Sequence, residues 1–361
     1  MKRFFKTFQK QLLWLVANAA GLGLFWLFQN DRAVMDFIAR RITAPYKNAV
    51  GRLCHALPVS VTELLYAAAI LGVLWYLLRS VRRVRRAERR GAEAARRVLG
   101  LANAALTVYA LFCLLWGVNY HATGFCEEIG LSDQPISVEA LHETTQYFAA
   151  QLGIYSGRIT RDEQGVFAEP RADILAYSTQ VYGALAQEYP QLAMADRQPK
   201  AMLFSRIMSA TGFTGLFFPF TGESNVNVDS PSAWLPCTVA HELAHQRGYA
   251  SEQECNLLGI LASVKSESNA YRYSGYLTGY VYLSNALYRA DYDAWYAVYQ
   301  TLPDGVRADL SAQRTYWAQF EGPVEQASEK VYDTFVKSYG EALGVQSYGA
   351  VVDLLVQYFT A

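Results

Sequence analysis

Three long apolar runs in the first third of the chain limit its fold more than any other feature. Residues 11–30 pass twenty positions without a charge, with LLWLVANAAGLGLFWLF at their heart. Residues 61–78 follow with Glu63 alone near their edge, and 98–119 are again uncharged. A helix of about 20 such residues crosses roughly 30 Å of hydrocarbon, and three in succession are poorly suited to a water-soluble core. The N-terminal region 1–117 therefore reads as a three-helix membrane region.

Charge divides the chain at the same place. Residues 1–117 hold 18 Lys and Arg against 5 Asp and Glu, whereas residues 118–361 hold 14 against 27. Nine arginines (79, 82, 83, 85, 86, 89, 90, 96 and 97) lie in the segment 79–97 between the second and third spans. Lys2, Arg3, Lys6 and Lys10 precede the first. Basic residues flanking spans stay on the cytoplasmic side. The expectation is a multi-pass cell-membrane protein with its N-terminus and an Arg-rich inner loop at 79–97 in the cytoplasm. The segment 31–60 then lies outside, as does everything from 118 onward.

The Arg-rich segment suits anionic lipid better than nucleic acid, since it is short and bracketed by spans. The Ala17-Asn18-Ala19 stretch looks like a signal-peptide cleavage site. Too few apolar residues precede it and the apolar run continues past it, so the first span reads as an uncleaved anchor. Cys54, Cys113, Cys126, Cys237 and Cys255 form no recognisable disulfide framework, although Cys237 and Cys255 flank the main motif.

Residues 118–361 are numerous enough for one sizeable core. Helical spacing marks 137–150 and 172–188. Residues 200–229, rich in Gly, Thr and Phe, read as short strands and turns. From about 235 the pattern is helix after helix: 251–269, 276–300, 308–320 and 323–340. The fold class expected is α+β and mostly helical, with a small sheet placed just ahead of a motif-bearing helix. The 25 tyrosines concentrate in this half, at spacings that suit packing.

That motif is His241-Glu242-Leu243-Ala244-His245, an HExxH run. Side chains four apart share one face of a helix, so both imidazoles reach a single Zn²⁺. Glu242 points to the neighbouring side, where it can hold a water and take its proton. Pro236 suits a first helical turn, and Gly248 suits a C-terminal stop.

A catalytic zinc takes three protein ligands and keeps one position open. A histidine three residues beyond the glycine would complete one protease pattern, but Ser251 stands there. Glu252, Glu254 and Glu267 remain. Glu254 is the first choice, because a chain turned back at Gly248 brings the next helix towards the metal and Glu254-x-Asn256 resembles a zinc-peptidase signature. Ser251-x-x-Glu254 is also a capping box that needs no metal. The alternating stretch 223–229 (ESNVNVD) is a candidate for an exposed strand beside the metal helix, where an extended peptide adds by backbone pairing. Tyr271, Arg272 and Tyr273 are candidate oxyanion donors, and Arg247 a candidate partner for a nearby carboxylate.

The stretches HELAHQRGYASEQECN, FFPFTGESNVNVD, YRYSGYL (271–277) and GVQSYGAVVDLL (344–355) together resemble an uncharacterised bacterial membrane family. Its members have three N-terminal transmembrane helices and an extracytoplasmic zincin-like HExxH domain. The resemblance implies one Zn²⁺ held by His241, His245 and Glu254, with Glu242 as the catalytic group. It names no substrate. The function expected is a membrane-anchored zinc metallopeptidase that hydrolyses peptide bonds outside the cytoplasm through a metal-activated water. Its expected partners are a peptide or protein substrate and the bilayer, with no nucleic acid. The alternatives are a zinc-binding sensor or scaffold of the same fold, and an amidase acting on cell-wall peptide.

Overall fold

The computed structural model describes residues 2–132, 134–339 and 348–360. The start of the closing stretch, 344–347, and the last residue of the helix expected over 323–340 lie outside them. The chain divides into two compact units. One comprises Met1–Val50, Val61–Ala122 and Pro219–Thr221, the other Gly51–Ser60, Thr123–Phe218 and Gly222–Ala361. The first unit runs on to Ala122, and the short segment 51–60 belongs to the second unit.

Among the described residues of the first unit, three helices are long and apolar enough to cross a membrane, at Phe8–Phe28, Val61–Arg86 and Arg90–Leu115. Only 11%, 11% and 17% of their most apolar windows is buried, so their apolar surface faces outward, as lipid contact requires. Polar atoms join the first to the third. Asn18 donates from Nδ2 to the Asn103 carbonyl at 3.2 Å. Trp14 Nε1 donates to Thr107 Oγ1 at 2.8 Å. Such bonds substitute for the hydrophobic drive that lipid-facing helices lack.

The segment expected as an Arg-rich loop is helical except at 87–89. Arginine is a good helix former, so the second span runs on to Arg86 and the third begins at Arg90. Residues 31–60 are likewise largely helical, as Arg32–Ile38, a π-helical turn Ala39–Thr43 and Ala44–His55.

The second unit is mostly helical. Helix Val138–Ser156 packs along Asn269–Ala290, which also packs on Glu252–Lys265 and Leu235–Arg247. Fully buried Phe148, Leu243, Leu257, Leu261, Tyr271 and Leu277 fill the space between them. The helix expected over 276–300 is two. Asp291 ends one and caps the next, its carboxylate accepting the Ala294 N–H at 3.0 Å. The region 172–188 is likewise broken, into Arg171–Tyr177, a 3₁₀ turn and Gly183–Glu188.

One small sheet completes the unit, with strands β1 (Lys200–Ala201), β2 (Gly215–Phe218) and β3 (Glu223–Val226) in the order β1-β3-β2. β3 pairs parallel with β1 and antiparallel with β2, and all four of its residues are buried. The stretch expected to offer an exposed strand is therefore the centre of the sheet, and β2 is an edge. A salt bridge between Lys200 and Glu223 (2.6 Å) ties β1 to β3. Lys200 also donates to the carbonyls of Cys54 and Val59, both at 2.8 Å. Ser60 Oγ donates to Asn225 Oδ1 at 2.6 Å.

Candidate metal centre

Helix Leu235–Arg247 carries the HExxH run, and ten of its side chains, from Leu235 to Gln246, are buried. A helix enclosed on most sides needs partners for its polar groups as well as its apolar ones. Ser274 Oγ accepts the Cys237 N–H near its start at 3.0 Å. Tyr182 donates its hydroxyl to the Ala240 carbonyl (2.9 Å), and Ser224 on β3 to the Glu242 carbonyl (2.9 Å). The helix stops at Gly248, whose φ of 105° lies in the left-handed region; the Tyr249 N–H turns back to the Ala244 carbonyl. Glycine adopts that conformation at no steric cost. After three intervening residues Glu252 opens the helix Glu252–Lys265, packed against the first.

This turn brings His241, His245 and Glu252 together, with ligand-type atoms all within 4.8 Å of one another. Glu252 Oε2 stands 3.3 Å from His241 Nε2, and Oε1 stands 3.7 Å from His245 Nε2. Tetrahedral zinc with bonds near 2.05 Å separates its ligand atoms by about 3.3 Å; two imidazoles and a carboxylate are donors of the kind that ion takes, and the His241–Glu252 pair stands at that separation.

The other imidazole nitrogens are engaged so as to aim these. His245 Nδ1 donates to the Tyr249 carbonyl at 2.8 Å, and His241 Nδ1 to Asn256 Oδ1 at 2.9 Å. A proton held at Nδ1 leaves the Nε2 lone pair for a cation, which is how outer partners orient metal-binding histidines. Burial works against a charge on His241, but its bond to Glu252, the charges of Glu252 and Glu242, and its bond to Asn256 outweigh that and raise its pKa. Burial would also raise Glu252. The bond to His241, the charges of both imidazoles and the Tyr332 hydroxyl instead bring it down to about 2. Glu252 is thus an anion at neutral pH, as a ligand must be.

Glu242 differs. It is 3% exposed, and among the described residues its Oε2 is buried with no hydrogen-bond partner. Burial pushes its carboxyl up to about 8, with the His241 charge opposing and that of Glu252 reinforcing. An unpartnered buried carboxyl costs stability, and such groups concentrate where chemistry needs them. β2 passes directly over it, so that a Cβ placed on Gly215 would overlap the carboxylate. The Phe217 ring lies 6.4 Å from that of His245.

Glu254, the first choice from sequence, lies outside this cluster. Its Oε1 accepts the Cys126 N–H at 2.8 Å. The capping box does not form either, because Ser251 makes no side-chain bond to its helix. Glu267 is exposed beyond the end of that helix and donates its N–H to the Tyr177 hydroxyl at 3.2 Å.

The candidate oxyanion donors are engaged in packing. Tyr271 donates to the Ile174 carbonyl (2.8 Å), Tyr273 to Asp309, and Arg272 to the Ser266 carbonyl. Arg247 pairs with buried Asp196 at 2.7 Å and stacks on Tyr182. No disulfide joins the cysteines among the described residues. Asn256 and Tyr332 are the contributors that spacing alone did not assign to the site, and Tyr332 is 80 residues downstream of Glu252, which its hydroxyl meets at 2.5 Å.

Neither the curated proteins nor the solved structures yield a match to this chain. Residues 39–356 match a family model described as "Protein of unknown function (DUF3810)". That match takes in most of the first unit and nearly all of the second, including every residue of the metal cluster, and the chain belongs to the DUF3810 family.

Proposed function

We propose that this protein is a membrane-anchored, zinc-dependent metallopeptidase whose second unit, of zincin type, works outside the cytoplasm. The observation that carries the reading is the convergence of His241 Nε2, His245 Nε2 and the Glu252 carboxylate beside the buried carboxyl of Glu242. When bound, Zn²⁺ supplies a Lewis acid that polarises a carbonyl and acidifies water. His241, His245 and Glu252 hold the ion, with Glu252 taking the place that sequence reasoning gave to Glu254. Glu242 accepts a proton from water as the hydroxide oxygen bonds to the scissile carbonyl carbon. It returns that proton to the amine nitrogen as the C–N bond breaks. The edge strand β2, passing over Glu242, supports an extended peptide as substrate, aligned by backbone pairing.

The arginines between the second and third spans support a cytoplasmic N-terminus and an outer second unit. A zinc-holding sensor would have no use for the costly burial of Glu242, and a cell-wall amidase would use the same residues on another bond. The test is the full-length protein in detergent. It should carry about one zinc per chain. Glu242→Gln should keep the zinc and lose turnover, by about 10²-fold or more, on peptides that accumulate in cells bearing that variant. A well-folded protein unable to bind zinc overturns the reading. Zinc binding with no difference between the peptide profiles leaves the scaffold role.

A further inference from the structure

Helix Pro323–Ser338 reaches the metal cluster from the far end of the chain. Its Tyr332 hydroxyl donates to Glu252 Oε1 at 2.5 Å. The Tyr332 ring stands edge-on to Phe213, with centroids 5.3 Å apart, two residues before β2 begins. One turn earlier, Ser328 Oγ donates to the Thr211 carbonyl at 2.9 Å, a second tie between the same helix and the segment leading into β2.

Glu252 is the first residue of its helix, where a long side chain has little neighbouring backbone to restrain it. A carboxylate turns about its last bond with little resistance, so a ligand of this kind needs an external bond to settle which oxygen faces the metal. The phenol occupies Oε1. Oε2 then remains towards His241, at the separation found between ligands of a tetrahedral ion.

Resting on the zinc reading above, we propose that Tyr332 is a positioning residue of the metal centre: it fixes the rotation of Glu252, and helix Pro323–Ser338 is a working part of the site rather than a peripheral addition. The ring on Phe213 couples the metal ligand to the approach of the edge strand, so the ligand shell and the strand proposed to align substrate share one support.

Full-length protein in detergent supplies the test, with Zn²⁺ affinity measured against a chromophoric chelator and the visible absorption of the Co²⁺-loaded form as a record of ligand geometry. Tyr332→Phe keeps the ring and removes one hydroxyl; Ser328→Ala removes the other tie of the same helix. Tyr332→Phe should weaken Zn²⁺ binding about 10- to 100-fold and alter the Co²⁺ absorption. Ser328→Ala should leave affinity within about threefold and the absorption unchanged, as expected of a contact outside the ligand network. Wild-type affinity and an unchanged spectrum in Tyr332→Phe overturn the proposal, as do equal losses in the two variants, which would mean that the helix merely needs to be docked. A wild-type protein without zinc affinity overturns the metallopeptidase reading itself, a distinguishable failure.

Discussion

Glu252 and Glu254 are two residues apart on one helix, and two residues turn a helix through about 200°, placing them on opposite sides. Sequence spacing points to a glutamate on this helix but does not record which way the helix is rotated. That rotation is set by Gly248 and the three residues after it, whose turn puts Glu252 against the histidines and sends Glu254 to the Cys126 N–H. Glu252→Ala should therefore lower Zn²⁺ affinity by about 10²-fold or more, whereas Glu254→Ala should leave it within a few-fold; chelator competition on both variants decides this. Glu242 makes a second prediction. Its folded carboxyl titrates near 8, above the unfolded value of about 4.3. The folded state thus holds the proton longer, and stability of the metal-free protein falls as pH rises from about 4.3 to about 8. Glu242→Gln removes that loss. In chelator, its stability advantage over wild type should grow across this window to a few kcal/mol, roughly 3–5 at most, by denaturant titration at each pH.

At the scale of elements, the motif helix and its Gly248 stop were legible because local chemistry specifies them. The strands were harder. Alternation in ESNVNVD marks a strand but does not say whether neighbours flank it on one side or both, and here β3 is central while β2 forms the edge. Tyr332 was illegible for another reason: nothing local records a contact with a residue 80 positions away. The geometry of β2 gives its own prediction. At Gly215 a methyl would overlap the Glu242 carboxylate, so Gly215→Ala should displace it and lower turnover at least tenfold while the zinc ligands stay in place. Overpacking of this kind costs about 1–3 kcal/mol. Thermal unfolding together with zinc content separates that outcome from general collapse.

Over the whole molecule, composition divides the chain into a basic, apolar region and an acidic one, and both are mostly helical. The Arg-rich segment joins the second and third candidate spans largely as helix, since arginine extends a helix readily. The finer partition departs from any single boundary, since residues 51–60 belong with the second unit although two candidate spans separate them from the rest of it in sequence. A soluble fragment cut at 123 would lose the Cys54 and Val59 carbonyls that accept from Lys200, and the Ser60 hydroxyl that meets Asn225. Lys200 is largely buried and, of its bonds to Glu223, Cys54 and Val59, would keep only the first; losing hydrogen bonds to a buried charged group costs about 1–3 kcal/mol. The fragment 123–361 should accordingly melt below a version in which 51–60 is added back through a short linker, as differential scanning fluorimetry would record. For protein production, this unit is discontinuous in sequence, and a conventional truncation at 123 discards its first stretch, 51–60.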